Sequence, residues 1–115
     1  MQIQINADHN IQGYESLAAA VRATVETALR RFSAHITPVE VHVADENGRK
    51  QGRNDKRCMM EARMERRPPM AVTHHAETVA QAIDGAAEKL VHVLEHALGR
   101  LHDHRTHTPE PIPTE

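Results

Sequence analysis

The chain has 115 residues, 39% of them hydrophobic, but only one Tyr, one Phe and no Trp. That length suits one domain with a modest core, which Val, Ile, Leu, Met and Ala must fill. The formal charge of −2, with ten histidines counted as neutral, excludes an overall basic field that would advertise nucleic acid, although mild acidification would swing it.

Met1–Asn6 alternates Met1, Ile3 and Ile5 with Gln2, Gln4 and Asn6, the pattern of a half-buried strand. Ala7–Gly13 reads as a polar turn. Tyr14–Phe32 reads as a helix with Leu17, Val21, Val25, Ala28 and Phe32 on one face, and with Arg22 and Arg31 on its opposite flanks. Ser33–Thr37 ends that helix, and Pro38 stops any continuation. A second strand follows, in which Val39, Val41 and Val43 alternate with Glu40, His42 and Ala44. Asp45–Lys56 has no hydrophobic residue and contains Gly48 and Gly52, so a long, mobile loop is expected.

Arg57–Glu65 resumes the alternation, with Cys58, Met60, Ala62 and Met64 inward. Arg66–Pro69 is a turn whose two prolines place the next strand at an edge. That strand is Met70–His75, with Met70, Val72 and His74 inward and His75 facing solvent. Glu77–Arg105 is one long amphipathic helix. Val79, Ile83, Ala86, Leu90, Leu94, Ala97 and Leu101 recur at helical spacing, and Thr78 with Gln81 forms a capping box. Lys89, His92, His96 and Arg100 form a flanking stripe within about 80° of arc, and Asp84, Glu88 and Glu95 make the back acidic. Residues 106–115 are Pro-rich and apolar-poor, so the domain is expected to span 1–105 and to end in a disordered tail.

The order β-α-β-β-β-α predicts an α+β fold. One four-stranded mixed sheet carries both helices on one face. The first two strands pair in parallel across the helical crossover, and the last three form an antiparallel meander. The opposite face (Gln2, Gln4, Glu40, His42, Met59, Glu61, Arg63, Thr73 and His75) is left to solvent.

Few catalytic motifs are available. His92-Val-Leu-Glu95-His96 spells H-x-x-E-H, an inverted zinc-protease motif. Only 19 residues follow it, mostly tail, so a third ligand and a cleft are wanting; the plain reading is a His-substituted solvated stripe. His102, His104 and His107 cluster near the end of the helix and read as exposed. No metal site is therefore assigned. No P-loop, nucleophile elbow, paired C-x-x-C or Rossmann glycine pattern occurs, so no cofactor is expected. The single cysteine, Cys58, excludes an intrachain disulfide and fits a reducing compartment. Its inward position favours a buried, inert thiol over a redox sensor. No targeting segment or membrane-length apolar run is evident, so the expectation is cytoplasmic, with no membrane partner.

The element order, the opening Met1-Gln-Ile-Gln-Ile5, Phe32 at the end of the first helix, and A-I-D-G-x-x-x-K-L at Ala82–Leu90 resemble the ribosome hibernation-promoting factor / ribosome-associated inhibitor family, the sigma-54 modulation proteins. The resemblance spans about residues 1–104. It implies a fold similar to a double-stranded-RNA-binding domain. It also implies binding in the decoding channel of the small ribosomal subunit, which silences translation under stress or in stationary phase by occupancy. No reaction, cofactor or small-molecule substrate is implied. With a short tail, the chain looks like a short member, without the pairing domain of long ones; a homodimer is left open.

In this resemblance, Lys89 matches a family lysine and Arg100 a basic position. His92, His96 and His102 fall where relatives carry Arg or Lys, and Thr24 and Thr27 where lysines are common. The expected rRNA-contacting set is Lys89, Arg100, His92 and His96, with Arg31 and the loop residues Arg49, Lys50, Arg53 and Lys56. The same dilution of positive charge supports a second reading, a stress-related protein-interaction or homodimerising module. Under the first reading, ribosome affinity should strengthen as pH falls from about 7.5 to about 6, because protonated histidines add positive charge. Sedimentation with small subunits over that range measures it, and a flat affinity would contradict it.

Overall fold

A computed structural model describes residues 1–8, 11, 13–46 and 55–106, with side chains as far as residue 99. The elements are β1 (Ile3–Ala7), α1 (Tyr14–Ala28), a 3-10 turn (Arg30–Phe32), β2 (Ile36–Asp45), β3 (Lys56–Met64), β4 (Met70–Ala76) and α2 (Val79–Thr106). The sheet order is β1-β2-β3-β4. β1 runs parallel to β2, and β2, β3 and β4 form the antiparallel meander. Alternation puts Ile3, Val39, Val41, Val43, Cys58, Met60 and Ala62 on the face covered by the helices, where all are buried. The solvent face carries cross-strand rows such as Gln4, Glu40, Glu61 and Ala71, or Asn6, His42, Met59 and Thr73.

Several boundaries differ from expectation. The first helix does not run unbroken to Phe32. It ends at Ala28, with Leu29 as its C-cap at φ −105° and ψ 13°, and then tightens into the 3-10 turn. Three residues per turn bring Leu29 and Phe32 onto one side, and both are buried. β2 starts at Ile36, ahead of Pro38, which lacks a ladder donor. The register slips between Ile36 and Val39 to accommodate it, and Thr37–Pro38 is cis. Asp45 and Lys56 belong to the ends of β2 and β3 rather than to the loop. Finally, Thr106 closes α2 instead of opening the tail; the rest of the expected tail lies outside the described residues.

Both sheet edges are attended by side chains from the helices. The outward carbonyls of β1 accept bonds from α1: Tyr14 Oη donates to Ile5 O at 2.9 Å, and Arg22 Nη1 to Ile3 O at 3.3 Å. At the far edge, Lys89 Nζ of α2 donates to Thr73 O of β4 at 2.8 Å. Such capping blunts an edge that would otherwise invite another strand.

α2 begins at Thr78, whose Oγ1 accepts the Gln81 amide at 3.1 Å and so satisfies one otherwise orphaned helical donor. The helix packs on β3 and β4 through Ala82, Ile83, Ala86, Ala87, Leu90, Leu94 and Ala97, all buried. Leu90 and Leu94 are fully buried, each contributing about 1.5–3 kcal/mol by removal from water. The alanines let the helix sit close to the sheet. The nearest approach is at Gly85, where a Cβ would overlap the ring of His74. His74 thus lies beneath α2, as its inward position in the strand predicts, while His75 is exposed.

Two predictions rest on this packing. Gly85→Ala would gain about 1 kcal/mol of helix propensity in an open site. Here it should instead lower stability by about 1–3 kcal/mol through overpacking on His74. Thermal melts check it, and adding His74→Ala should rescue most of the loss. Burial pushes the Cys58 thiol up to about 12, against a smaller opposing effect of Arg57. Cys58 should therefore resist iodoacetamide in the native protein and react fully in denaturant. The unfolded thiol ionises first, so stability should fall as pH rises from the ordinary 9.0 towards about 12.

Candidate nucleic-acid interface

The spacing of Lys89, His92 and His96 on α2 sets them along one flank of the helix, and all three side chains are exposed. The flank begins over the β4 edge, where Lys89 reaches Thr73 O. That bond uses one of three ammonium donors and leaves the charge unneutralised. The helix backbone carries the same flank on through Arg100, whose side chain lies outside the described residues, as do those of His102 and His104; His107 lies outside them altogether.

The other expected contacts are not on this flank. Arg31 sits at the end of α1, where it pairs with Glu95 of α2 and stacks 4.9 Å from the centroid of the Phe32 ring. Both members of the pair are largely exposed, so it contributes about 0–1 kcal/mol. It engages the one carboxylate of the H-x-x-E-H stretch. Among the described residues, no three His, Cys, Asp or Glu side chains stand close enough to share a metal ion.

Lys56 opens β3 at the opposite end of the sheet from the 3-10 turn. Its Nζ lies 3.1 Å from Asp55 Oδ1 and 3.4 Å from Asp45 Oδ2. Hydrogen bonding to Asp55 holds the ammonium above its usual range, against partial desolvation. Asp55 is the buried charged residue of the described chain, and Lys56 is what neutralises it. Lys56 is therefore a clamp across the hairpin base, with its charge already engaged. Beside it, Glu46 bridges Arg57 Nε at 3.0 Å, without hydrogen-bond alignment, and His75 Nε2 at 3.3 Å. Arg49, Lys50 and Arg53 lie outside the described residues. Their attachment points, Glu46 and Asp55, are at this end. The nine residues of β3 span about 30 Å, which separates them from Arg31.

The side of α2 that reads as an acidic back faces α1 instead. Asp84 and Glu88 line a groove with Thr24 and Thr27, walled by Ala23, Ala28, Ala87 and Val91. No cation lines that groove among the described residues, so it repels phosphate. The sequence reading also missed a concentration of arginine at the β3–β4 turn, Arg63, Arg66 and Arg67. The doublet Arg66-Arg67 beside two prolines is the signal that marks it.

The sequence profile of the family described as sigma 54 modulation protein / S30EA ribosomal protein matches residues 5–102. No protein of curated function matches the sequence. Among solved structures, a ribosomal subunit interface protein from Coxiella burnetii is similar at TM-score 0.66 and 14% identity, over 86% of this chain and 99% of that one. The N-terminal domain of Thermus thermophilus Protein Y is similar at TM-score 0.59 and 18% identity, over 84% of this chain and 98% of that one. At those identities the two structures speak for the fold, which they share. The profile match covers most of the length, and the chain belongs to the sigma 54 modulation protein / S30EA ribosomal protein family.

Proposed function

We propose that this protein binds the small ribosomal subunit at the mRNA/tRNA decoding channel and inhibits translation by occupying it, as a cytoplasmic, non-enzymatic factor of ribosome hibernation under stress. The family match over residues 5–102 carries the reading. It is supported by a solved neighbour described as a ribosomal subunit interface protein.

The rRNA contact is assigned to the α2 flank, Lys89, His92 and His96, continuing to Arg100, with Arg49, Lys50 and Arg53 from the segment between β2 and β3 contributing. Arg31 contributes after it exchanges Glu95 for phosphate. Lys56 contributes by holding the hairpin base rather than by direct contact. Such contacts are electrostatic, so affinity falls steeply with salt.

One observation favours a second reading, a protein-interaction module that kept the fold and has lost tight ribosome binding. The groove between α1 and α2 offers Asp84 and Glu88, and no cation among its lining residues. Sedimentation separates the two. The unmodified protein should pellet with small subunits at low salt and be released at high salt. Lys89→Glu with Arg100→Glu should reduce pelleting by about tenfold or more, as two phosphate contacts become repulsions. Unchanged pelleting of that variant contradicts the flank assignment, and no pelleting of the unmodified protein favours the interaction module.

A further inference from the structure

At the end of the sheet opposite the hairpin loop, the β3–β4 turn and the start of β2 enclose a cleft of about 470 Å³. Its polar lining is Ser33, His35, Thr37, Arg63, Arg66 and Arg67, and Glu65 is the single carboxylate among its lining residues. Elsewhere on the described surface, Arg31 is engaged by Glu95, Lys56 by Asp45 and Asp55, and Arg57 by Glu46. Arg63, Arg66 and Arg67 have no such carboxylate among the described residues. Three arginines thus line one concave surface beside a single carboxylate, with no ion pair to a described residue.

The turn that presents them is stiff and specific. Pro68 and Pro69 fix the backbone after it. Arg66 adopts φ 66°, the left-handed region where glycine or asparagine is at ease and an arginine is strained. A turn selected only for its geometry would carry glycine there. The side chain at its tip is a guanidinium, whose planar fork matches the oxygens of a phosphate.

We propose that this cleft is a second RNA-backbone contact, gripping phosphates through Arg63, Arg66 and Arg67, separate from the Lys89–His92–His96 flank. The proposal rests on the ribosome reading above. No Phe, Tyr or Trp lines the cleft, and its guanidinium forks match phosphate oxygens, so the recognition is of the backbone rather than of sequence. Its placement suits a polymer. α2 runs back along β4, from Gly85 over His74 to Lys89 at Thr73, so its basic flank advances towards the end of the sheet that bears the arginine turn. One folded RNA can engage both, and two linked weak contacts hold far better than either alone.

The test uses the full chain and purified small ribosomal subunits over a range of salt, comparing the unmodified protein with Arg63→Gln/Arg66→Gly/Arg67→Gln. The triple variant should lose about two units of slope in a plot of log affinity against log salt, and about tenfold or more in affinity near 0.1 M salt. Arg66→Gly alone should keep or raise the melting temperature, since glycine accepts the positive φ freely, and should still weaken binding. That single variant decides the matter if the triple one fails to fold. A folded variant with unchanged slope and affinity overturns the proposal alone, because the unmodified protein still binds. Failure of the unmodified protein to bind subunits removes the ribosome reading and the proposal together. Polyglutamate that displaces the protein as well as a phosphate polymer of equal charge also overturns it, because the cleft would then be a site for acidic protein.

Discussion

The close seating of α2 on the sheet is the constraint from which the rest follows. A chain with one Phe and no Trp cannot fill a gap between layers with aromatic bulk. It brings the layers together instead, through Ala82, Ala86, Ala87 and Ala97 around Leu90 and Leu94, with Gly85 against His74. Once that seam is fixed, the remaining sides of the helix are fixed too. One side overlooks the β4 edge and carries Lys89; the other turns to α1 and carries Asp84, Glu88 and Glu95. The basic and acidic surfaces of the protein are consequences of how its helix is rolled on the sheet.

That roll also sorts the charges by what they do. Lys56, Arg57 and Arg31 are held by carboxylates and act within the fold. Arg22 and Tyr14 serve the β1 edge, and Lys89 the β4 edge. These bonds occupy carbonyls at both sheet edges, and the free surface is left to the open sheet face, helix flanks, loops and the sheet end. The arginines of the β3–β4 turn belong to none of the internal networks, which is why they stand out as a surface for a partner. A net charge near neutrality therefore says little about this protein. Its positive groups are fewer than a nucleic-acid binder usually shows, but they are distributed unevenly.

Much of the architecture was legible from period alone. Alternation placed Ile3, Val39, Val41, Val43, Cys58 and Met60 on the covered face, and three- and four-residue spacing placed the buried side of α2. Thr78 announced its cap. What was not legible depends on neighbours distant in sequence. Leu29 follows Val25 by four residues on the same helical row, but the tightening of the chain after it into the 3-10 turn that brings Phe32 to its side depends on packing against the sheet. Ile36 joins β2 because β3 offers it Met64 as a partner, despite the proline that follows. The charged run 45–56 looked like loop throughout, yet Asp45 and Lys56 face each other across a ladder, and Asp55 is buried beside them. The candidate site was half legible. The stripe on α2 is on one flank as read, whereas the neutralisation of Arg31 and Lys56, the acid-lined groove and the arginine cleft all require strand order and helix roll.

The direct measurement of the central claim is competition on purified small ribosomal subunits, with tRNA and mRNA prebound and this protein titrated in. If the protein occupies the decoding channel, tRNA should be released as the protein binds, and excess tRNA with mRNA should release the protein in turn. Subunits that retain both at saturation would contradict the account.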